Sequence, residues 1–215
     1  PSVTYSRIID FKQFSPKFPL ELSELIESQM IGNRVLITLC NLGEMEFLEN
    51  MVESLNSVGV RNFVVFATDD ASYSQIQKLG YPTYFSATLV GNLTASYENQ
   101  FLRYIKKKKE VPQRRENFIA LCMAKLKVAR EVARLGYDFI FSDVDIVYLK
   151  NPFQELSMCD LSCFSAERKV SKTYVMGVNS GFYFLKGTAR SFEMLNHAIK
   201  LQERPPELPD QNHLN

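Results

Sequence analysis

The chain has 215 residues, 46% of them hydrophobic and 23% charged, and a formal net charge of +1. This composition suits one sizeable core; the near-zero charge supplies no field for nucleic acid, and no run of about 18 apolar residues is present to span a bilayer. Cys40, Cys122, Cys159 and Cys163 are too few and too scattered for a disulfide framework, so a reducing, cytoplasmic compartment is expected. Residues 2–18 mix Arg7, Asp10, Lys12 and Lys17 with apolar residues and do not read as a signal peptide. The start at Pro1 rather than Met leaves room for a removed anchor, which would place the domain in the Golgi lumen instead.

The segment Arg34 to Cys40 (RVLITLC) is a short β-branched apolar run followed by Asn41 and Gly43, and reads as a strand and a loop. From Glu44 to Val58 the residues Phe47, Leu48, Met51, Val52, Leu55 and Val58 recur at helical spacing, with Glu44 and Glu46 at the end that favours negative charge, and Gly59 closes the helix. Asn62 to Thr68 predicts a second strand ending at Asp69 and Asp70, then a helix over Ser72 to Leu79 closed by Gly80. Tyr81 to Phe85 predicts a third short strand, and the pattern fades after it into surface that includes the Lys106 to Lys109 run.

Between Glu116 and Leu135 one stripe of Phe118, Leu121, Cys122, Leu126, Ala129, Val132 and Ala133 predicts the longest helix, ended by Gly136. Tyr137 to Ser142 is then a strand leading straight into Asp143. Asp160 to Ser165 and Gly181 to Leu185 predict two more strands, and Thr188 to Leu201 a last helix, before a proline-rich tail over Glu203 to Pro209. Alternating strands and helices imply a three-layer α/β domain with a mostly parallel sheet. Ligands of such sheets lie at the carboxyl ends of the strands, which singles out Asn41, Asp69, Asp143 and Asp145.

Asp143 and Asp145 stand at i and i+2, so in an extended segment both carboxylates point to one face with α-carbons roughly 6.5 to 7 Å apart. Uncompensated, the pair would repel. Two carboxylates suit a hard divalent ion and leave coordination positions open for phosphate oxygens. A bare Asp-x-Asp is common, and acidic residues often merely end a strand; here an apolar strand precedes it and a second apolar run with an Asn-Pro stop follows.

With LGYDFIFSDVDIVYLKNP (Leu135 to Pro152), VNSGFYFLKGT (Val178 to Thr188), DQNHLN (Asp210 to Asn215) and VLITLCN near residue 40, the sequence resembles the nucleotide-diphospho-sugar transferases, glycosyltransferases of the GT-A fold. The resemblance covers nearly the whole chain. It implies one catalytic domain over residues 1–215, part of a longer parent, that moves a hexose-type sugar from a UDP-sugar to a glycan or glycoprotein, commonly with retention. It implies Mn2+ or Mg2+ on Asp143 and Asp145, with His213 as a third ligand, and places Thr38, Asn41 and Asp69 near the uridine. It also implies donor contacts from Val144, Lys125 and a turn at Asn179, Ser180 and Gly181, and puts Asp210 and Gln211 at the reacting carbon, where a carboxylate can stabilise or attack an oxocarbenium-like centre. Length and start further resemble viral glycosyltransferase domains that modify capsid proteins. Relatives often carry Trp after the second acid, where this chain has Tyr148 and no Trp anywhere, which bears on the acceptor.

Each remaining residue has a plainer reading. Lys125 lies on the apolar helical stripe, where a lysine either snorkels to water or reaches phosphate as a point charge. Arg114 and Arg115 could reach phosphate and the four-lysine run an acidic surface or a membrane, but both read more simply as exposed surface, and His197 lies mid-helix as a structural residue. Asn92-Leu93-Thr94 matches a glycosylation triplet, which matters only in a secreted protein. Asp143 to Val147 also fits the nucleophile motif of haloacid-dehalogenase-type phosphatases, but about 140 residues precede it and no GDxxxD follows. A non-catalytic nucleotide-sugar binder is the third reading, opposed by Asp210 and Gln211.

Overall fold

The computed structural model describes residues 20–90, 112–156, 159–170 and 173–202. In chain order the elements are α1 (Leu20–Gln29), β1 (Arg34–Cys40), a 3-10 turn (Leu42–Glu44), α2 (Met45–Ser57), β2 (Phe63–Ala67), α3 (Asp70–Lys78), β3 (Thr83–Tyr84), α4 (Ala87–Val90), α5 (Pro112–Arg134), β4 (Asp138–Ser142), a 3-10 turn (Pro152–Gln154), β5 (Leu161–Val170), β6 (Thr173–Leu185) and α6 (Ala189–Gln202). The sheet order is β3-β2-β1-β4-β6-β5. The pairs β2–β3, β1–β2 and β1–β4 are parallel, whereas β6 runs antiparallel to both β4 and β5. This is the expected α/β architecture, with an antiparallel hairpin on one edge of a parallel sheet.

Period-two alternation divides the core into two layers. Val35, Ile37 and Leu39 of β1, with Phe139 and Phe141 of β4, face α1, α5 and α6, which contribute Ile26, Val128, Val132 and Leu195. Leu36 and Cys40, with Ile140 of β4, face α2 and α3 through Leu48, Met51, Leu55 and Ile76. Strands covered on both faces read as continuous apolar runs; β2 is buried at every position. Each fully buried large side chain contributes roughly 1.5 to 3 kcal/mol. Stacked Phe141 and Tyr183, with centroids 5.4 Å apart, tie β4 to β6.

Several expectations are adjusted by the packing. The sequence pattern predicts no element before Arg34, yet α1 forms and buries Leu22 and Ile26 against the first layer. Helix α5 starts at Pro112, four residues before the predicted Glu116. Strands β5 and β6 run well beyond their predicted apolar segments because they pair with each other over Ser165–Val170 and Thr173–Val178; ladder pairing needs no apolar residues. The glycines Gly59, Gly80 and Gly136, predicted to end helices, all take positive φ, at 76°, 75° and 85°. Residues 91–111 and the tail beyond Gln202, including the glycosylation triplet, the lysine run, Asp210, Gln211 and His213, lie outside the described residues, as do the Arg114 and Arg115 side chains.

Candidate active site at the ends of β1 and β4

From β1 the chain goes to β2 and β3 on one side, then returns to place β4 on the other side of β1. The carboxyl ends of β1 and β4 therefore flank the point where the strand order reverses, the usual position of a ligand crevice in such sheets. Asn41 follows β1 and Asp143 follows β4 at this point.

Asp143 continues the parity of Phe139 and Phe141, toward the layer that holds α5. Its backbone N–H donates to the Gly181 carbonyl at 2.7 Å, which ties the end of β4 to β6. Its Oδ1 lies 2.5 Å from the Lys125 ammonium. That nitrogen also sits 5.9 Å from the centre of the Phe141 ring. Lys125, 16% exposed, thus reaches up from the apolar stripe of α5 to the crevice.

Asp143 directly follows β4, and Val144 and Asp145 form a turn after it. Val144, between the two aspartates, is buried in the second core layer, and Asp145 is exposed. Val144, assigned to the donor by resemblance, puts its side chain into the core and so anchors the turn. Tyr148 secures the same loop: its hydroxyl donates to Ser142 Oγ at 2.6 Å and its backbone N–H to Ser54 Oγ at 3.0 Å. Burial raises the Tyr148 phenol, so it stays protonated and keeps that donor.

Asn179, Ser180 and Gly181 belong to β6, not to a turn. What resembles a turn is local: the Gly181 N–H donates to Asn179 Oδ1 at 2.8 Å. Ser180 is buried. A Cβ on Gly181 would stand 2.8 Å from Asp143 Oδ2 and 3.1 Å from Asn179 Oδ1. The absent side chain is what lets the carboxylate sit against β6, a close approach that no local sequence pattern around this glycine announces.

On the β1 side, Asn41 is buried and caps the 3-10 turn, accepting from Gly43 N–H at 2.8 Å. Its Nδ2 donates to Glu44 Oε2 at 2.6 Å. Glu44, expected only as a helix-end charge, is itself buried. Burial is the main cause that lifts its carboxyl to about 7; Asp143 and Asp145 push it the same way, against a hydrogen bond from the Asn41 backbone and the charge of Lys125. Glu44 is therefore coupled electrostatically to the crevice. The Asn41-x-x-Glu44 spacing is the signal in the sequence that marks such a reciprocal pair.

Thr38 is fully buried within β1, and its hydroxyl has no hydrogen-bond partner among the described residues. It lies beneath the crevice. Asp69 acts structurally, since its carboxylate accepts from Ser72 N–H at 2.7 Å in a capping box that starts α3. Cys40, fully buried between these strand ends, has its thiol raised by burial and by Glu44 and Asp69, so it stays an inert core residue.

A divalent ion fits the arrangement. The donors are hard carboxylate oxygens, a cation already stands on Asp143 in the form of Lys125, and a Cβ on Gly181 would crowd Oδ2 at 2.8 Å where the glycine does not. Among the described residues no group of three or more His, Cys, Asp or Glu side chains stands ready to hold a metal. A divalent ion held by Asp143 and Asp145 would have most of its coordination positions left for water and phosphate oxygens. No helix among the described residues is long and apolar enough to cross a membrane.

Comparison with known proteins agrees with the architecture. The chain is similar to arabinosyltransferase RRA1 of Arabidopsis thaliana, 25% identical over 197 residues that cover 81% of this chain and 45% of that protein. It is also similar to beta-arabinofuranosyltransferase RAY1 of the same plant, 24% identical over 190 residues covering 86% and 33%. The chain thus spans less than half the length of these curated relatives. Both are plant proteins and lend no support to a viral capsid role. In fold, it is similar to mouse xyloside xylosyltransferase 1, with a TM-score of 0.53 at 13% identity over 84% of this chain and 79% of that one. Residues 58–215, well over half of the chain, match the nucleotide-diphospho-sugar transferase family, which sets aside the phosphatase reading. The chain belongs to the nucleotide-diphospho-sugar transferase family, and its β1–β4 crevice carries the Asp143-Val144-Asp145 motif.

Proposed function

We propose that this chain is the catalytic domain of a glycosyltransferase that moves a sugar from a UDP-sugar to a glycan or glycoprotein acceptor, with Asp143 and Asp145 holding Mn2+ or Mg2+. The observation that supports it most is the meeting of Asp143 and Lys125, 2.5 Å apart, at the point where the strand order reverses. One carboxylate pair to bind a cation and one ammonium to bind an anion are the two charge types a diphosphate–metal complex requires. The ion, when bound, offsets the charge that builds on the diphosphate leaving group. Asn179 and Ser180 flank Asp143 from β6 and would border the sugar. Asp210 and Gln211 are assigned by family resemblance to the reacting carbon, with retention, and His213 to the ion.

The hexose expected from the sequence gives way to a pentose in this proposal, because the relatives are named as arabinosyltransferases. The test is calorimetric titration of UDP with Mn2+ and then with EDTA, followed by hydrolysis of a panel of UDP-pentoses and UDP-hexoses. Metal-dependent UDP binding with preferential turnover of a UDP-pentose is the expected result. Absence of UDP binding in both conditions refutes the proposal, and tight binding with no turnover under any acceptor makes the domain a binder.

A further inference from the structure

Ser142 and Tyr148 form a short polar chain inside an otherwise apolar layer. Both are buried, and Met51, Ile140 and Phe184 belong to the same side of the sheet. The Tyr148 hydroxyl donates to Ser142 Oγ at 2.6 Å. The Ser142 hydroxyl has one proton and two candidate acceptors, the Asp143 carbonyl at 2.9 Å and Met51 Sδ at 4.0 Å, and the shorter carbonyl contact takes it. A hydroxyl that accepts while it donates is polarised, so the two bonds strengthen one another. The head of the chain is itself fixed. Tyr148 N–H donates to Ser54 Oγ of α2 at 3.0 Å, Ser54 Oγ donates to the Met51 carbonyl at 2.7 Å, and the Tyr148 ring lies 6.2 Å from that of Phe182 on β6.

These contacts converge on the backbone of Asp143. Its N–H donates to the Gly181 carbonyl at 2.7 Å, and its carbonyl accepts from Ser142. A peptide group is planar, so a bond to one of its atoms orients the whole plane. The planes before and after the Asp143 α-carbon are therefore both held, one by β6 and the other by the Ser142–Tyr148 chain. The carboxylate is left with its side-chain torsions alone, and the second plane opens the turn that carries Asp145. We propose that Tyr148 is a positioning residue for ion binding: acting through Ser142, it fixes the Asp143 carbonyl and so sets the direction in which the two carboxylates are presented. The proposal rests on the reading of Asp143 and Asp145 as ion ligands. With the second plane released, other conformers of the turn compete, and ion affinity falls with the fraction that stays correctly aimed.

The experiment measures Mn2+ affinity at saturating UDP, from the free-ion paramagnetic resonance signal, in wild type, Tyr148→Phe, Ser142→Ala and the double variant. Folding of each is confirmed by near-ultraviolet circular dichroism; Tyr148→Phe removes one oxygen and keeps the ring against Phe182, so it carries the test if Ser142→Ala fails to fold. Each single variant is expected to bind Mn2+ about three- to tenfold more weakly, the equilibrium weight of one lost hydrogen bond, with Ser142→Ala the weaker of the two. The double variant should lose no more than Ser142→Ala, since the tyrosine acts through the serine. UDP affinity in EDTA should be unchanged, because no ion contact contributes to it. An equal loss of UDP affinity in EDTA makes the effect a general loosening of the crevice and overturns the proposal. A folded Tyr148→Phe with wild-type Mn2+ affinity, whatever its urea midpoint, overturns it and leaves the ion site standing, and additive losses in the double variant overturn the route through Ser142. Failure of the wild type to bind Mn2+ with UDP overturns the ion site and this proposal together.

Discussion

Replacing Glu44 by Gln should make the protein more stable at alkaline pH and flatten its pH dependence. The Glu44 carboxyl is lifted from 4.5 to about 7, chiefly by burial. Between those values the unfolded chain has released this proton and the folded chain has kept it, so stability falls as pH rises through the window and the full penalty is present above it. Integrating the two titrations from pH 5 to pH 8.5 gives a loss of about 2 to 3 kcal/mol from this group alone. Gln keeps an acceptor for the Asn41 amide, which donates to Glu44 Oε2 at 2.6 Å, and carries no charge at either pH. The assay is urea unfolding of both proteins at pH 5 and pH 8.5, with the other titrating groups cancelling in the difference between them. Glu44→Gln should gain about 2 to 3 kcal/mol on wild type over that range. A wild-type-to-variant difference that is the same at both pH values would refute the argument that Glu44 is buried against its charge.

Gly181→Ala should displace the Asp143 carboxylate, since the new Cβ would meet Oδ2 at 2.8 Å; the expected result is an overpacking cost of about 1 to 3 kcal/mol and loss of Mn2+-dependent UDP affinity, read by calorimetry. Asp145→Ala should lower donor hydrolysis about a hundredfold or more with an unchanged melting temperature, because the side chain is exposed; wild-type turnover would sink its assignment to the ion. Asp69→Ala removes the cap on Ser72 N–H and should cost about 1 kcal/mol, while Asp69→Ser restores the stability. Weakened UDP binding in the Ser variant would give Asp69 the uridine contact that the resemblance implies for it.

Much of the architecture is legible in local patterns. The stretches at 35–37 and 139–141 are wholly apolar because both sheet faces are covered, and the helices α2 and α6 announce themselves by spacing. The extension of β5 over residues 166–170 (AERKV) carries no such signal, because its pairing with β6 is a long-range backbone event.

In the site, Asp143 and Asp145 are visible from residue type and from their place after an apolar strand, and Lys125 is visible as a charge on an apolar stripe. Which of them meet depends on the tertiary fold. The order β3-β2-β1-β4 makes a crevice of two strand ends that are distant in the chain, at Cys40 and at Ser142. Only packing of α5 against β4 turns Lys125 onto Asp143, and only the antiparallel return of β6 brings Gly181 beneath the carboxylate. Burial, which has no counterpart in a linear sequence, changes Glu44 from a helix-end charge into a carboxyl that resists ionisation. Residue type and periodicity thus determined the elements and the available chemistry. The contacts and the local dielectric, set by side chains distant in sequence, were decided by the fold.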